Sequence, residues 1–226
     1  MRKKFFVLAI VCIFILGFYG VNAAKNKTFS SPAKPIASAE IDERLDPHGG
    51  KGYSGNRSRI FGRAWLDVDG NGCDTRNDIL ARDLKDVVKK EDCKVLSGVL
   101  YSPYSGDRID FLRGEKTSSK VQIDHVIPLG YAYRYGGWRL AEEGKKALLE
   151  QFANDPLNLL AVEGSLNGAK SDKGPSQWLP PTKDKKLLCA YGRRTRAVFD
   201  KYYPLGFSMA KKDLAVVDSL IEENCF

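Results

Sequence analysis

Gln122-Ile123-Asp124-His125-Val126-Ile127-Pro128 reads as the end of a short strand. Val121 to Ile127 has strand character, and neighbours along a strand point to opposite faces. Asp124 and His125 can therefore serve one site only near a strand end or a bend, and Pro128 ends the strand there. A carboxylate beside an imidazole offers a hard metal ligand and a proton acceptor. Such a pair is more often structural than catalytic when it stands alone. The whole chain holds only two histidines, which limits the choice of a neutral-pH base. His48, in Asp46-Pro47-His48-Gly49-Gly50, has a loop context and no partner pattern.

A second stretch shifts the balance. Asn154-Asp155-Pro156-Leu157-Asn158-Leu159-Leu160-Ala161-Val162 is followed by Glu163-Gly164-Ser165-Leu166-Asn167-Gly168-Ala169-Lys170-Ser171-Asp172. Asn158 precedes an apolar run, Asn167 enters a helix, and Lys170 comes three positions later. Asp-His, then Asn before a short strand, then Asn-x-x-Lys, resembles the HNH nuclease motif. The wider segment, from about Arg59 to Cys225, resembles secreted bacterial HNH-family proteins of the DUF1524 type. Gln-Ile-Asp-His-Val-Ile-Pro-Leu, Phe-Ala-Asn-Asp-Pro, Asn-Gly-Ala-Lys-Ser-Asp and Gln-Trp-Leu-Pro-Pro carry that likeness. Asp-Gly-Asn-Gly-Cys-Asp-Thr-Arg and Cys-Lys-Val-Leu-Ser-Gly add to it upstream.

The resemblance implies an α+β fold around a ββα-metal (HNH, or His-Me finger) core, with added helices, a β-hairpin and two disulfides. Carried over by position, Asp124 and Asn167 are metal ligands and His125 is the general base. Asn158 holds the loop or orients His125. The third motif position is His in the motif's name, and Asn167 stands there as it does in many members. The insertion between Pro128 and Asn154 is longer than in compact members, which leaves the substrate-facing surface open.

The implied chemistry is hydrolysis of a phosphodiester. His125 would take the proton of an attacking water. A divalent ion would neutralise charge on the phosphate and the leaving 3′ oxygen. One carboxylate and one amide oxygen make a sparse, hard site suited to Mg²⁺, with Mn²⁺ expected to substitute and Zn²⁺ or Ni²⁺ left open. Lys170 is expected to reach a phosphate. Arg134 and Arg139, with Lys145 and Lys146, are expected to follow a nucleic-acid backbone, although a solvated face is the commoner use of such residues. DNA is the expected substrate, with RNA left open. No base-reading module is evident, so little sequence preference is expected. Trp178 reads as core rather than as a stacking platform.

Composition fits this reading. The chain has 226 residues, 43% hydrophobic and 11% aromatic, a globular balance that excludes collagen-like, low-complexity and coiled-coil classes. The formal charge is +8, which suits a polyanion partner without requiring one. Arg2-Lys3-Lys4, the apolar Phe5 to Phe18 and Val21-Asn22-Ala23-Ala24 read as a secretory signal cleaved after Ala23. The apolar run is shorter than the ~20 residues of a spanning helix, so no stable membrane association is expected after cleavage. Residues 24–55 read as a flexible leader and 56–226 as one nuclease domain, secreted and monomeric. Cys73, Cys93, Cys189 and Cys225 remain after cleavage, and an even count in an exported protein suggests two disulfides. Of three possible pairings, Cys73–Cys93 and Cys189–Cys225 is expected, because each half then closes on itself.

The hydrophobic pattern predicts a helix over 77–90, with Leu80, Leu84, Val87 and Val88 on one face and Asp74 or Thr75 as cap. Strands are predicted over 94–101 and 108–112 around a Ser-Pro-Tyr-Ser-Gly-Asp turn. A helical stretch over 131–152 breaks at Gly136-Gly137, and two amphipathic helices close the chain, over 184–203 and 208–224. One alternative function competes. Asp67-Val68-Asp69-Gly70-Asn71-Gly72 begins like a calcium loop, with Asp78 at its twelfth place. Asp67, Asp69, Asn71 and Asp78 would then hold Ca²⁺ in a cell-envelope binding module whose HNH-like site is inert. Cys73 at the seventh place and the missing preceding helix favour a plain Asp- and Gly-rich turn instead.

Overall fold

The computed structural model describes residues 45, 46, 48–91 and 93–226. The expected signal segment and most of the expected leader lie outside the described residues. In chain order the elements are α1 (Arg57–Phe61), α2 (Thr75–Asp83), β1 (Lys85–Lys90), β2 (Lys94–Tyr101), β3 (Arg108–Leu112), β4 (Val121–His125), α3 (Leu129–Arg134), α4 (Gly137–Glu142), α5 (Lys146–Asn154), β5 (Leu159–Glu163), α6 (Gly164–Lys170), α7 (Lys185–Tyr202) and α8 (Lys211–Asn224). This is a mixed α+β architecture. Among the described residues no helix is long and apolar enough to cross a membrane.

Two short strands organise it. β4 and β5 pair antiparallel, Asp124 opposite Leu160 and His125 opposite Leu159. Every residue of β5 except the last is apolar, so neither of its faces suits water. Leu159 and Ala161 point with Val121 and Ile123 into one cluster, against Leu80 of α2 and Val95, Leu100 and Phe111 of the three-stranded sheet. Leu160 and Val162 point the other way, toward Tyr104, Trp178 and Tyr191, which are core. The alternation is that of a strand buried on both sides. A third cluster, with Phe152, Phe199, Tyr202 and Phe207, joins α5 to α7 and the chain before α8.

The other sheet has the order β1-β2-β3, all antiparallel. Strands 94–101 and 108–112 form where the pattern predicts them. The helix expected over 77–90 does not. It runs from Thr75 to Asp83, capped by the Asp74 carboxylate, which accepts from Asn77 N at 2.8 Å. The chain then turns extended at Leu84 and continues as β1, with Lys89 opposite Val95 and Lys90 opposite Lys94. Leu80 and Leu84 are buried as a helix face would be, yet Val88 is exposed. Pairing with β2 and the Cys73–Cys93 bridge hold this β-branched segment, and such tertiary partners override a weak helical period. The second bridge, Cys189–Cys225, ties α7 to the end of α8, so both expected pairings form.

Residues 48–55, the end of the expected leader, lie against α3. Asp46 donates its N–H to Arg134 O, its carboxylate accepts from His48 N and Gly50 N, and Tyr53 packs its ring 6.2 Å from that of Phe61. His48 itself is exposed on this turn.

Candidate active site

The end of β4 delivers the two chemical side chains. Val126 N donates to Asn158 O, extending the ladder one step past the strand. Asn158, fully buried, then clamps the next residue: its Oδ1 accepts from Ile127 N at 2.9 Å and its Nδ2 donates to Ile127 O at 3.3 Å. Asn158 therefore holds the loop, and the His125 ring bonds elsewhere, to Ala153 O. Asp155 seals the same turn, accepting from Leu157 N and, through its other oxygen, from Lys201 and Tyr202 of α7.

α6 is laid on the β4–β5 pair by Gly164. A Cβ there would stand 2.1 Å from Ser119 O, so only glycine lets the helix start this close to the chain entering β4. From α6, Asn167 donates its Nδ2 to Gln122 Oε1 of β4 at 2.8 Å. That bond orients the amide, and its oxygen accepts no hydrogen bond among the described residues. Asp124, His125 and Asn167 border one cavity of about 220 Å³, together with Tyr53, Arg57 and Asp172.

His125 is buried, and its Nε2 lies 2.8 Å from Ala153 O. A carbonyl only accepts, so Nε2 carries the proton and Nδ1 keeps the lone pair. Burial pushes its pKa down to about 3; the Ala153 bond opposes the shift, and Arg57 and Lys170 add to it. The ring is neutral over the whole physiological range.

Asp124 is held from two sides. Tyr104 Oη donates to its Oδ2 at 2.5 Å, and Lys170 Nζ stands 3.1 Å from Oδ1 and 2.9 Å from Oδ2. Lys170 also donates to His125 O at 2.8 Å. Its side chain is fully buried. Lys170 thus differs from its expected role, because an ammonium closed off by Asp124 and a backbone carbonyl cannot meet a substrate phosphate. Burial lowers its pKa, and Asp124 opposes that shift. Among the described residues no three His, Cys, Asp or Glu side chains gather as a metal cluster. A carboxylate has about four lone-pair positions, and Lys170 and Tyr104 occupy three. One position on Asp124 Oδ1 and the free amide oxygen of Asn167 remain, a sparse pair of oxygens that fits a hard ion keeping most of its waters.

Arg134 and Arg139 do not line the cavity. Arg134 donates to Asp172 O at 2.8 Å, and Arg139 stands half-buried on α4. The cation at the cavity is Arg57, an exposed side chain with no hydrogen bond or ion pair among the described residues. Beside it, Tyr53 has its pKa raised by burial and by Asp172, so its phenol stays a donor. Neither Tyr53 nor Arg57 was singled out in the sequence. For Tyr53 the available signal was a lone aromatic inside Gly49-Gly50-Lys51-Gly52-Tyr53-Ser54-Gly55, a glycine-rich stretch read as leader; for Arg57, at the start of the expected domain, there was none.

The acidic loop bonds largely within itself, although Asp78 Oδ2 is buried with no partner among the described residues. Asp67 accepts from the N–H groups of Gly70, Asn71 and Gly72, Asn71 Nδ2 donates to Asp69 and Asp78, and Asn71 Oδ1 accepts from Cys73 N. It is a hydrogen-bonded turn locked by Cys73–Cys93.

An uncharacterized secreted protein of Arthroderma benhamiae is 34% identical over 143 residues, which cover 60% of this chain and 63% of that protein. The chain therefore spans somewhat under two thirds of that relative, which is fungal where the likeness read in the sequence was to bacterial proteins. No solved structure matches. A family model described as GmrSD restriction endonucleases, C-terminal domain, matches residues 74–217. That span holds Tyr104, Asp124, His125, Asn158, Asn167 and Lys170 and more than half of the chain, so the chain belongs to the family of GmrSD restriction endonuclease C-terminal domains.

Proposed function

We propose that this protein is an exported, divalent-metal-dependent nuclease of the HNH type, hydrolysing phosphodiester bonds in DNA, and in RNA where it is offered, with little sequence preference. The observation that carries the reading is the meeting of Asp124, His125 and Asn167 on one open cavity, from two paired strands and the helix that follows them. Two disulfides suit an oxidising compartment.

His125 accepts the proton of the attacking water at Nδ1, the nitrogen that Ala153 leaves unprotonated. Burial makes the imidazolium unfavourable by itself, and the negative charge of a bound phosphate would offset that. Arg57 reaches a non-bridging phosphate oxygen, and Tyr53 donates a second hydrogen bond from the same side. Asp124 and Asn167 would hold Mg²⁺, which supplies charge neutralisation on the phosphate and the leaving oxygen when bound. Lys170 and Tyr104 keep Asp124 in one orientation for that task.

The test is direct. Purified protein should nick supercoiled plasmid with Mg²⁺ or Mn²⁺ and stop with EDTA. His125→Ala should lower the rate at least ~10²-fold, the lower end for loss of a general base. Cleavage that survives EDTA, or that persists near the parental rate in His125→Ala, sinks the reading.

A further inference from the structure

A second, smaller cavity adjoins the first. Arg57, His125 and Leu129 border both, and the second adds Ser58, Arg63 and Trp65. Its volume is about 40 Å³ against about 220 Å³ for the first. The guanidinium of Arg63 is exposed and has no partner among the described residues, as is true of Arg57. Two cations without partners among the described residues, on one small hollow beside the candidate base, call for an anion.

The hollow is built rather than incidental. The segment from Gly62 to Leu66 has no regular structure of its own, yet α5 holds it at three points. Glu150 Oε1 accepts from Arg63 N at 2.6 Å, Asn154 Nδ2 donates to Arg63 O at 3.0 Å, and Asn154 Oδ1 accepts from Leu66 N at 3.1 Å. Gly62 has φ +70, and a Cβ there would stand 2.3 Å from Glu150 Oε1, so the approach depends on glycine. Asn154 is almost fully buried. The residue before it, Ala153, is the one whose carbonyl accepts from His125. One turn of α5 therefore sets both the imidazole and the Arg63 segment, at a fixed spacing.

We propose that this second cavity is a subsite for the phosphodiester adjacent to the scissile one, held by Arg63 and Ser58 with Arg57 between the two phosphates. The proposal rests on the nuclease reading and deepens it. It assigns the protein a polymeric substrate that presents at least two consecutive phosphates.

Two measurements test it. The first compares Arg63→Ala with the parent on an oligonucleotide duplex and on bis(p-nitrophenyl) phosphate, which carries a single phosphate. The expected result is a KM increase for the duplex at least several-fold larger than for the small diester, with kcat on the diester changed little by comparison. Equal changes on both substrates, or none on the duplex, overturn the subsite. The second uses no catalysis. The His125→Ala protein should bind the duplex with a salt dependence whose log–log slope falls by about 0.9 when Arg63→Ala is added, the loss of one phosphate contact. An unchanged slope overturns the subsite even if the parent proves to be a nuclease. A lowered slope with a parent that cleaves neither substrate keeps the phosphate site and removes the catalytic reading.

Discussion

Lys170 is a buried cation beside the candidate site that does not line its cavity. With its ammonium enclosed by both oxygens of Asp124 and by His125 O, it fixes the carboxylate that the proposed mechanism needs. Removing one partner of a buried pair leaves the other charged and unsolvated, at about 3–5 kcal/mol. Lys170→Met should therefore lower stability by that order in urea unfolding, whereas Lys170→Met with Asp124→Leu should recover a large part. A single variant that costs under ~1 kcal/mol would show the pair to be dispensable. His125 makes a different demand. Its folded pKa, about 3, lies below the ordinary 6.5, so the unfolded chain binds the proton first. Stability is complete above pH 6.5 and declines as pH falls toward 3, by about 1.36 kcal/mol per pH unit within that window. Urea unfolding in EDTA at pH 7 and pH 4 should show this loss in the parent and much less of it in His125→Gln. Equal acid losses in both proteins would place the sensitivity elsewhere. Asn167→Ala should behave in the opposite manner to Lys170→Met: half-exposed and bonded only to Gln122, it should leave the urea midpoint nearly unchanged and weaken Mg²⁺ binding by titration calorimetry.

At the scale of elements, the site is a strand end prevented from fraying. Beyond His125 the chain has no ladder partner except Asn158, whose amide closes both polar groups of Ile127. Asn158→Ala would leave two buried backbone groups unpaired, at about 1–3 kcal/mol each. Hydrogen exchange should show the Ile127 amide opening in that variant before the rest of β4, and cleavage should drop with it; unchanged protection at Ile127 would refute the clamp. The meeting of Asp124, His125 and Asn167 on one cavity was legible only through the likeness of the order Asp-His, Asn, Asn-x-x-Lys to the HNH motif, since Asn167 stands in the middle of α6 and no local pattern marks it. The strands at 94–101 and 108–112 were legible for a local reason, the β-branched and aromatic runs on either side of a Pro- and Gly-containing turn. The segment 85–90 was not. Leu80, Leu84, Val87 and Val88 satisfy a helical period, and what decides against it is pairing with β2, which no local window contains. Lys170 was misjudged on similar grounds: its burial depends on Tyr104 and Asp124 arriving from other elements. Tyr53 went unseen because its place beside the cavity arises from a turn folded back onto α3, while its own stretch reads only as glycine-rich; Arg57, at the start of α1, carries no pattern that sets it apart from the other arginines.

The whole molecule separates what is tied covalently from the candidate site. Cys73–Cys93 closes a loop of 20 residues around α2 and β1, and Cys189–Cys225 closes one of 36 across α7 and α8. Neither loop contains Asp124, His125, Asn158 or Asn167. Between them the β4–β5 pair is buried on both faces, by the α2 and sheet cluster on one side and by Tyr104 and Tyr191 on the other. In the chain-entropy account each bridge destabilises the unfolded chain by about 3–4 kcal/mol, slightly more for the longer loop. The two loops do not overlap, so their contributions should add. Cys73→Ser with Cys93→Ser, and separately Cys189→Ser with Cys225→Ser, should each shift the urea midpoint downward, with the second pair at least as costly. Below the midpoint, both variants should bind Mg²⁺ as the parent does, because the oxygens of Asp124 and Asn167 are positioned by Lys170, Tyr104 and Gln122 and by no cysteine. Loss of Mg²⁺ affinity in a bridge variant that remains folded by circular dichroism would show that the site depends on the covalent frame, and would overturn this separation.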